Sequence, residues 1–230
     1  MKRKVVITGS AQGMGLETVK RFLETREFEV FGLDIKPSPI DIKDVYYHHF
    51  ICDVGDPEAL PDIDDVSILI NNAGCSNTGK DIQTNLWGTI NCTRKYGLTP
   101  SIKAIVNQAS VCATTGIDFD EYCASKGGVK SYTVWTAKQV AKFGAVCNCL
   151  SFGGVSTDIN GPVLEDDECM KKVLEMTPLH KWCTPEEASS WIFFFATQNK
   201  SCTAQELIID NGEMFNHPFI WPGVENGQLV

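Results

Sequence analysis

The chain has 230 residues, 43% apolar and 21% charged, with a formal net charge of −9 and a pI near 4.9. That composition is ordinary for a globular protein and excludes a disordered or low-complexity chain. The negative field argues against nucleic acid and anionic membranes as partners, since both demand clustered Lys and Arg.

At the start, Lys2-Arg3-Lys4 is followed only by Val5, Val6 and Ile7 before Thr8-Gly9, too short an apolar run for an export signal. Later apolar runs, such as Trp191 to Ala196, are too short to span a bilayer, so a cytoplasmic protein is expected. The ten cysteines are scattered, with no C-x-x-C and no His pair at ligand spacing. They are expected to be reduced thiols packed as small hydrophobes, with no metal site. In a strand, Cys147 and Cys149 would share one face.

In chain order, Lys4–Thr8 predicts a first strand, Met14–Thr25 a helix and Glu29–Asp34 a second strand. Ser67–Asn71 follows as a strand, Asp81–Tyr96 as a helix, Ala104–Asn107 as a strand and Tyr122–Phe143 as a long helix. The series ends with strand Ala145–Leu150, helix Pro185–Thr197 and strand Glu206–Ile209. Near-continuous Val/Ile/Leu runs suit strands buried on both faces of a parallel sheet. Their alternation with helices implies right-handed βαβ units, hence an α/β, doubly wound parallel sheet of the Rossmann type forming a single domain over residues 1–230.

The first strand runs into Thr8-Gly9-Ser10-Ala11-Gln12-Gly13-Met14-Gly15 and then a helix. Glycines there allow a tight turn and close approach to a pyrophosphate, which sits on the unpaired N–H groups opening the helix. The strand–turn–helix context separates this turn from a merely structural one. The second strand ends at Asp34, where a carboxylate accepts hydrogen bonds from an adenosine ribose diol and repels a 2′-phosphate. No Arg or Lys stands at Ser10, Ala11, Gln12 or Ile35, which favours NAD over NADP; Lys36 is the residue that weakens the inference.

Tyr122 and Lys126 are four apart and share one helix face. A nearby ammonium favours the phenolate over the phenol, so Tyr122 is expected to exchange a proton near neutral pH. Ser110 follows the strand Ala104–Asn107, where its hydroxyl can meet a substrate oxygen.

Together these features resemble the short-chain dehydrogenase/reductase family over nearly the whole chain. Gly9-x-x-x-Gly13-x-Gly15 resembles its cofactor turn, with Gln12 and Met14 inside it. Asp53-Val54 resembles the segment that meets the adenine, and Asn71-Asn72-Ala73-Gly74 the stretch ending the fourth strand. Asn85, Ser110, Tyr122 and Lys126 match the family tetrad. Thr177-Pro178-Leu179, Thr184-Pro185-Glu186-Glu187-Ala188 and Asp210-Asn211-Gly212 resemble its C-terminal pattern. The resemblance implies that Tyr122 is the general acid/base, Ser110 orients the substrate oxygen, Lys126 binds the nicotinamide ribose and lowers the tyrosine pKa, and Asn85 holds a water. Val155 and Thr157 would hold the nicotinamide carboxamide.

Two departures carry expectations. Phe152-Gly153 stands where the family has Pro-Gly, which should loosen the turn and put a ring near the cofactor. Only ten residues separate Gly74 from Asn85, which should open the site and favours a bulky or cyclic alcohol, as in some hydroxysteroid dehydrogenases. A substrate lid is expected over residues 157–182 and a tail over residues 213–230.

The residues read as structural are His48, His49, His180 and His217 on strand edges or loops, and Phe193–Phe195 in the core. Asp166, Asp167 and Glu168 suit an N-terminal helix turn. Cys75 and Cys112 either line the pocket or simply pack. The resulting expectation is an NAD-dependent enzyme interconverting a small-molecule secondary alcohol and ketone. The resemblance adds a homodimer or homotetramer, with the apolar tail (Phe219, Ile220, Trp221, Pro222) docked on a neighbour or over the pocket. The alternatives are a 3-oxoacyl-thioester reductase and a non-catalytic NAD sensor.

Overall fold

Seven strands pair in parallel in the order β3-β2-β1-β4-β5-β6-β7. They are β1 (Arg3–Thr8), β2 (Phe28–Asp34), β3 (Tyr47–Ile51), β4 (Val66–Asn71), β5 (Ala104–Ser110), β6 (Val146–Phe152) and β7 (Glu206–Ile209). This computed structural model describes residues 2–39 and 44–216, and the backbone of two short paired strands, Val224–Glu225 and Gln228–Leu229. The strand order reverses between β1 and β4, so a crevice opens beyond the carboxyl ends of these strands.

Successive residues of β1 go to opposite layers, as strand geometry dictates. Val5 and Ile7 pack with Val19 and Phe22 of α1 (Gly13–Glu24) and, from the far end of the chain, with Ile192. Val6 packs on the other side with Leu69, Tyr96 and Val140. A continuous helical run, α2, carries residues 82–97 along that second face. Its first and last parts, Ile82–Trp87 and Thr93–Gly97, are wound as π-helix around an α-helical centre, Gly88–Cys92. After β5 come the one-turn α3 (Cys112–Thr115) and the long α4 (Asp120–Val140). Between β6 and β7 lie α5 (Gly161–Leu164), α6 (Asp167–Met176) and α7 (Pro185–Thr197).

The expected strands and helices are all present, with three differences. The edge strand β3 was not anticipated: its Tyr47-His48-His49-Phe50 sequence lacks an apolar run because only its inner side is covered. β5 continues to Ser110, paired with Phe152, three residues beyond the apolar stretch that marks it in the sequence. In the Phe193–Phe195 run only Phe195 is buried; Phe193 lies edge-on against Phe22 and Phe194 is 43% exposed, so the run is not all core.

All ten cysteines are free thiols. Cys147 and Cys149 do share the β6 face under α4, and burial raises Cys149 to about 11. Asp166 caps α6 by accepting from the Glu168 and Cys169 amides, as its sequence position implied. Among the described residues no group of three or more His, Cys, Asp or Glu is placed to hold a metal, and no helix is long and apolar enough to cross a membrane. His217 and the tail residues Phe219, Ile220, Trp221 and Pro222 lie outside the described residues.

Candidate active site

A cavity of about 300 Å³ occupies the crevice. Gly9, Gln12, Gly13, Met14, Asp34, Asp53, Val54, Asn72, Ala73, Gly74 and Thr157 all line it, so eleven of the residues singled out from the sequence meet in one groove. The turn at its floor is fixed by close approach. Gly9 has φ +65°, and a Cβ there would lie 2.8 Å from the Ala73 Cα; a Cβ on Gly15 would land on the Gly9 carbonyl oxygen. Gly15 therefore packs the helix against the strand, behind the groove rather than in it. The Thr8 hydroxyl accepts from the amides of Asn72 (3.0 Å) and Ala73 (2.9 Å), while the Asn72 amide nitrogen donates to the Thr8 and Gly9 carbonyls. This locks the end of β4 to the end of β1.

The groove suits a dinucleotide. The start of α1 has no side-chain cap and no acidic residue in its first turn, which leaves its amides for a phosphate. The buried Asn72 side-chain oxygen has no partner among the described residues. At the far end, Asp34 is only 8% exposed and accepts from the amides of Ala11 and Lys36, both at 2.8 Å. These bonds aim the carboxylate at the groove while leaving lone pairs for a diol. Lys36 bends back to the Gln12 side chain at the same rim. Leu33, Cys52, Lys80, Thr84 and Ile159 also line the groove and were not singled out, since nothing in their spacing marks them.

Past Gly74 lie the four residues of the expected tetrad. A Cβ on Gly74 would sit 3.2 Å from the Asn85 side-chain oxygen and 3.4 Å from the Lys126 amine. Lys126 is 5% exposed, donates to the Gln108 carbonyl at 3.0 Å, and lies 5.6 Å from the Tyr122 ring centroid. The Ser110 hydroxyl is within hydrogen-bonding reach of the Tyr122 hydroxyl and accepts from the Cys112 amide at 3.3 Å.

Four expectations are corrected here. First, the Tyr122 phenol is not held below its usual range in this structure. Burial raises the phenol above the usual 10, and the neighbouring Cys112 and Asp118 add to this. Burial also brings Lys126 itself down to about 8, so it still carries its proton at neutral pH but holds it less firmly. Second, the Asn85 side chain is tied into the protein, with both donors and one oxygen lone pair used. Its oxygen accepts from the Cys75 amide, and its nitrogen donates to the Cys75 carbonyl and the Ser125 hydroxyl.

Third, Val155 does not line the cavity: its side chain packs in the core at 3% exposure, beside Cys183. Fourth, Phe152 does not approach the cofactor crevice. It ends β6 as a core residue at 4% exposure, so the turn stays a strand end rather than becoming loose. The ring that does lie on this turn is Trp182, whose indole covers Gly154.

The shortened link folds into a tight turn. Asp81, 1% exposed, accepts from the amides of Asn77 and Thr78 at 2.8 and 2.9 Å, and Cys75 is tied to Asn85 on both sides of its peptide unit.

A family model described as enoyl-(acyl carrier protein) reductase matches residues 9–213. The chain belongs to the short-chain dehydrogenase/reductase family. A relative within the family is a 3-oxoacyl-[acyl-carrier-protein] reductase of Chlamydia pneumoniae, 29% identical, with 91% of this chain and 96% of that protein covered. Among solved structures, 4-hydroxyisoleucine dehydrogenase complexed with NADH superposes with a TM-score of 0.82 at 26% identity, covering 92% of this chain and 98% of that one. A structure of ElxO with NADP bound superposes at 0.81 and 24% identity, covering 94% and 100%. As a short-chain dehydrogenase/reductase, the chain is an oxidoreductase with one Rossmann-like domain.

Proposed function

We propose that the chain is an NAD(H)-dependent enzyme interconverting a secondary alcohol and a ketone, with a bulky or cyclic substrate. The observation that carries this is the placement of the Ser110, Tyr122 and Lys126 polar groups just beyond a groove whose other end carries the Asp34 carboxylate. Gly9, Gly13, Met14, Asn72 and Asp34 would hold the dinucleotide, and Thr157 would meet its nicotinamide end. A bound nicotinamide supplies or accepts the hydride. Ser110 holds the substrate oxygen by one hydrogen bond, and Tyr122 delivers a proton to it or takes one from it. Lys126, pinned by the Gln108 carbonyl, positions the ribose. Asn85 acts by fixing the Cys75 turn against this end of the groove.

The second reading, a 3-oxoacyl-thioester reductase, is favoured by the names of the relatives and by the cations Lys36 and Lys80 at the groove, which suit a 2′-phosphate. The rim charge favours the first. The lid over residues 157–182 exposes Asp158, Glu165, Asp166 and Asp167, while each of its lysines already faces a glutamate. Asp118, Asp120 and Glu121 are exposed just before Tyr122. An acidic carrier would meet like charge on both sides.

Titration of NADH and NADPH, followed by a screen of neutral ketones against carrier-bound 3-oxoacyl thioesters, tests both points. Tighter NADPH binding with turnover confined to the thioester would overturn the first reading. Tight NADH binding without turnover on any substrate would favour the sensor. We also propose a symmetric dimer or tetramer through the exposed Trp87 and Trp135 faces of α2 and α4, each about two-fifths exposed, to be checked by light scattering.

A further inference from the structure

The side chains of Cys112 and Cys123 are neighbours where α3 packs on α4, beside Ser110. Each is a near neighbour of a group that the proposed reaction uses. Cys112 is two residues beyond Ser110, and its thiol is within hydrogen-bonding reach of the Ser110 hydroxyl; Cys123 directly follows Tyr122. Cys112 opens α3 and Cys123 sits in the first turn of α4, two helices packed on each other and joined by the exposed stretch Gly116–Phe119. Cys112 is 2% exposed and Cys123 is half-buried, so an oxidant in solution reaches Cys123 first. Neither thiol has a role in the hydride chemistry.

We propose that Cys112 and Cys123 form a reversible disulfide that shuts the catalytic pocket, an inference that rests on the roles given above to Ser110 and Tyr122. The oxidant is a peroxide. The Cys123 thiolate attacks one peroxide oxygen: an S–O bond forms, the O–O bond breaks, and hydroxide leaves and is protonated to water. Cys112 then loses its proton and attacks the Cys123 sulfur. The S–S bond forms, the S–O bond breaks, and a second water leaves, so two thiols have given two electrons to the peroxide.

Burial lifts Cys112 to about 12, which slows the second step at neutral pH and lets it quicken as pH rises. Closure replaces a non-bonded contact with a bond of about 2 Å. It draws the ends of β5 and α4 together and takes the Ser110 hydroxyl away from its place beside Tyr122.

The test treats the full-length protein with hydrogen peroxide, blocks remaining thiols with an alkylating reagent and digests with trypsin without reduction. Both cysteines fall in one peptide, Ala104–Lys126, so the bridged form carries no alkyl group and is two hydrogens lighter than the reduced peptide. The expected result is that this species accumulates while turnover falls about 100-fold, the scale of an ångström-sized misplacement of reacting groups. Dithiothreitol should restore turnover, and NADH binding should persist throughout. Cys123→Ser should keep turnover in reducing buffer and resist peroxide.

A Cys123 oxidised to sulfinic acid with no bridge overturns the proposal, as does a bridge that leaves turnover intact or equal peroxide sensitivity in Cys123→Ser. The bridge is scored on the peptide alone. A bridged protein that never turned over any substrate when reduced therefore sinks the functional reading, and an active enzyme without a bridge sinks this one.

Discussion

Around Gly9 and Gly15 the chain is held by main-chain geometry, whereas around Asn85, Tyr122 and Lys126 it is held by buried polar side chains. In the first region two glycines leave no room for a Cβ, and Thr8 and Asn72 bond almost entirely to backbone. In the second, Asn85 bridges Cys75 and Ser125, and Lys126 reaches the Gln108 carbonyl. Beneath it, Asn71 donates to Asn107 at 2.8 Å and Asn107 to Thr133 at 2.8 Å, a buried ladder across β4, β5 and α4. Sterically fixed geometry tolerates no added atom but stores little charge. A buried polar network costs stability and offers groups whose protonation the surroundings control. A change in the first region should therefore cost folding and binding together, while a change in the second should separate stability from activity.

The largest expected effect is at Tyr122. Tyr122→Phe keeps the ring and loses the hydroxyl, so turnover should fall about 10²–10⁴-fold while unfolding and NADH binding stay unchanged. Near-wild-type turnover would remove Tyr122 from the chemistry. The same pair of proteins reports the phenol directly. Because burial raises Tyr122 above 10, its phenolate absorbance, read as wild type minus variant, should appear above that pH in the free protein. It should move down when the oxidised cofactor brings its positive ring.

Next, Gly15→Ala breaks the steric region. Its methyl would meet the Gly9 carbonyl, so stability should drop by about 1–3 kcal/mol and NADH affinity should fall with it. Chemical denaturation and cofactor titration read both losses; a loss of affinity alone would show that the turn yields without strain.

Lys126→Met should do the opposite of Gly15→Ala by abolishing turnover while stabilising the fold. Burial lowers Lys126 from 10.5 to about 8, so at neutral pH its charge opposes folding by about 3 kcal/mol at 1.4 kcal/mol per pH unit, part of which the lost Gln108 hydrogen bond cancels. The sign follows from a folded pKa below the unfolded one. The wild type gains stability as pH rises from about 8 to 10.5, so the advantage of the variant should be full below 8 and fade toward 10.5. A difference independent of pH would show that Lys126 keeps its ordinary pKa in the folded protein.

The smallest effect expected is at Asp34. Asp34→Asn keeps the acceptor toward Ala11 and removes the charge, so the preference for NADH over NADPH should narrow about tenfold, which is 1.4 kcal/mol. An unchanged ratio would transfer the selection to Lys36.

The order of strands and helices was legible because a parallel sheet covered on both sides needs uninterrupted Val/Ile/Leu runs, such as Lys4–Thr8 and Ser67–Asn71. The edge strand β3 was not, because an edge has one covered side and its His48 and His49 spend their polarity on Glu29 and Lys36. The groove residues were legible wherever the fold needs a special residue at a fixed place, as at Gly9, Gly15 and Asp34. The sequence by itself determined six of the seven strands, the phosphate turn and the Tyr122–Lys126 spacing, since all three follow from local patterns along the chain. Only the tertiary structure decided the protonation tendencies of Tyr122 and Lys126, the inward turn of Val155 and Phe152, the indole of Trp182 over Gly154 and the meeting of Cys112 with Cys123. Each of these depends on burial among segments distant in sequence or separated by a loop, and burial sets both the solvation of a charge and the direction a side chain takes.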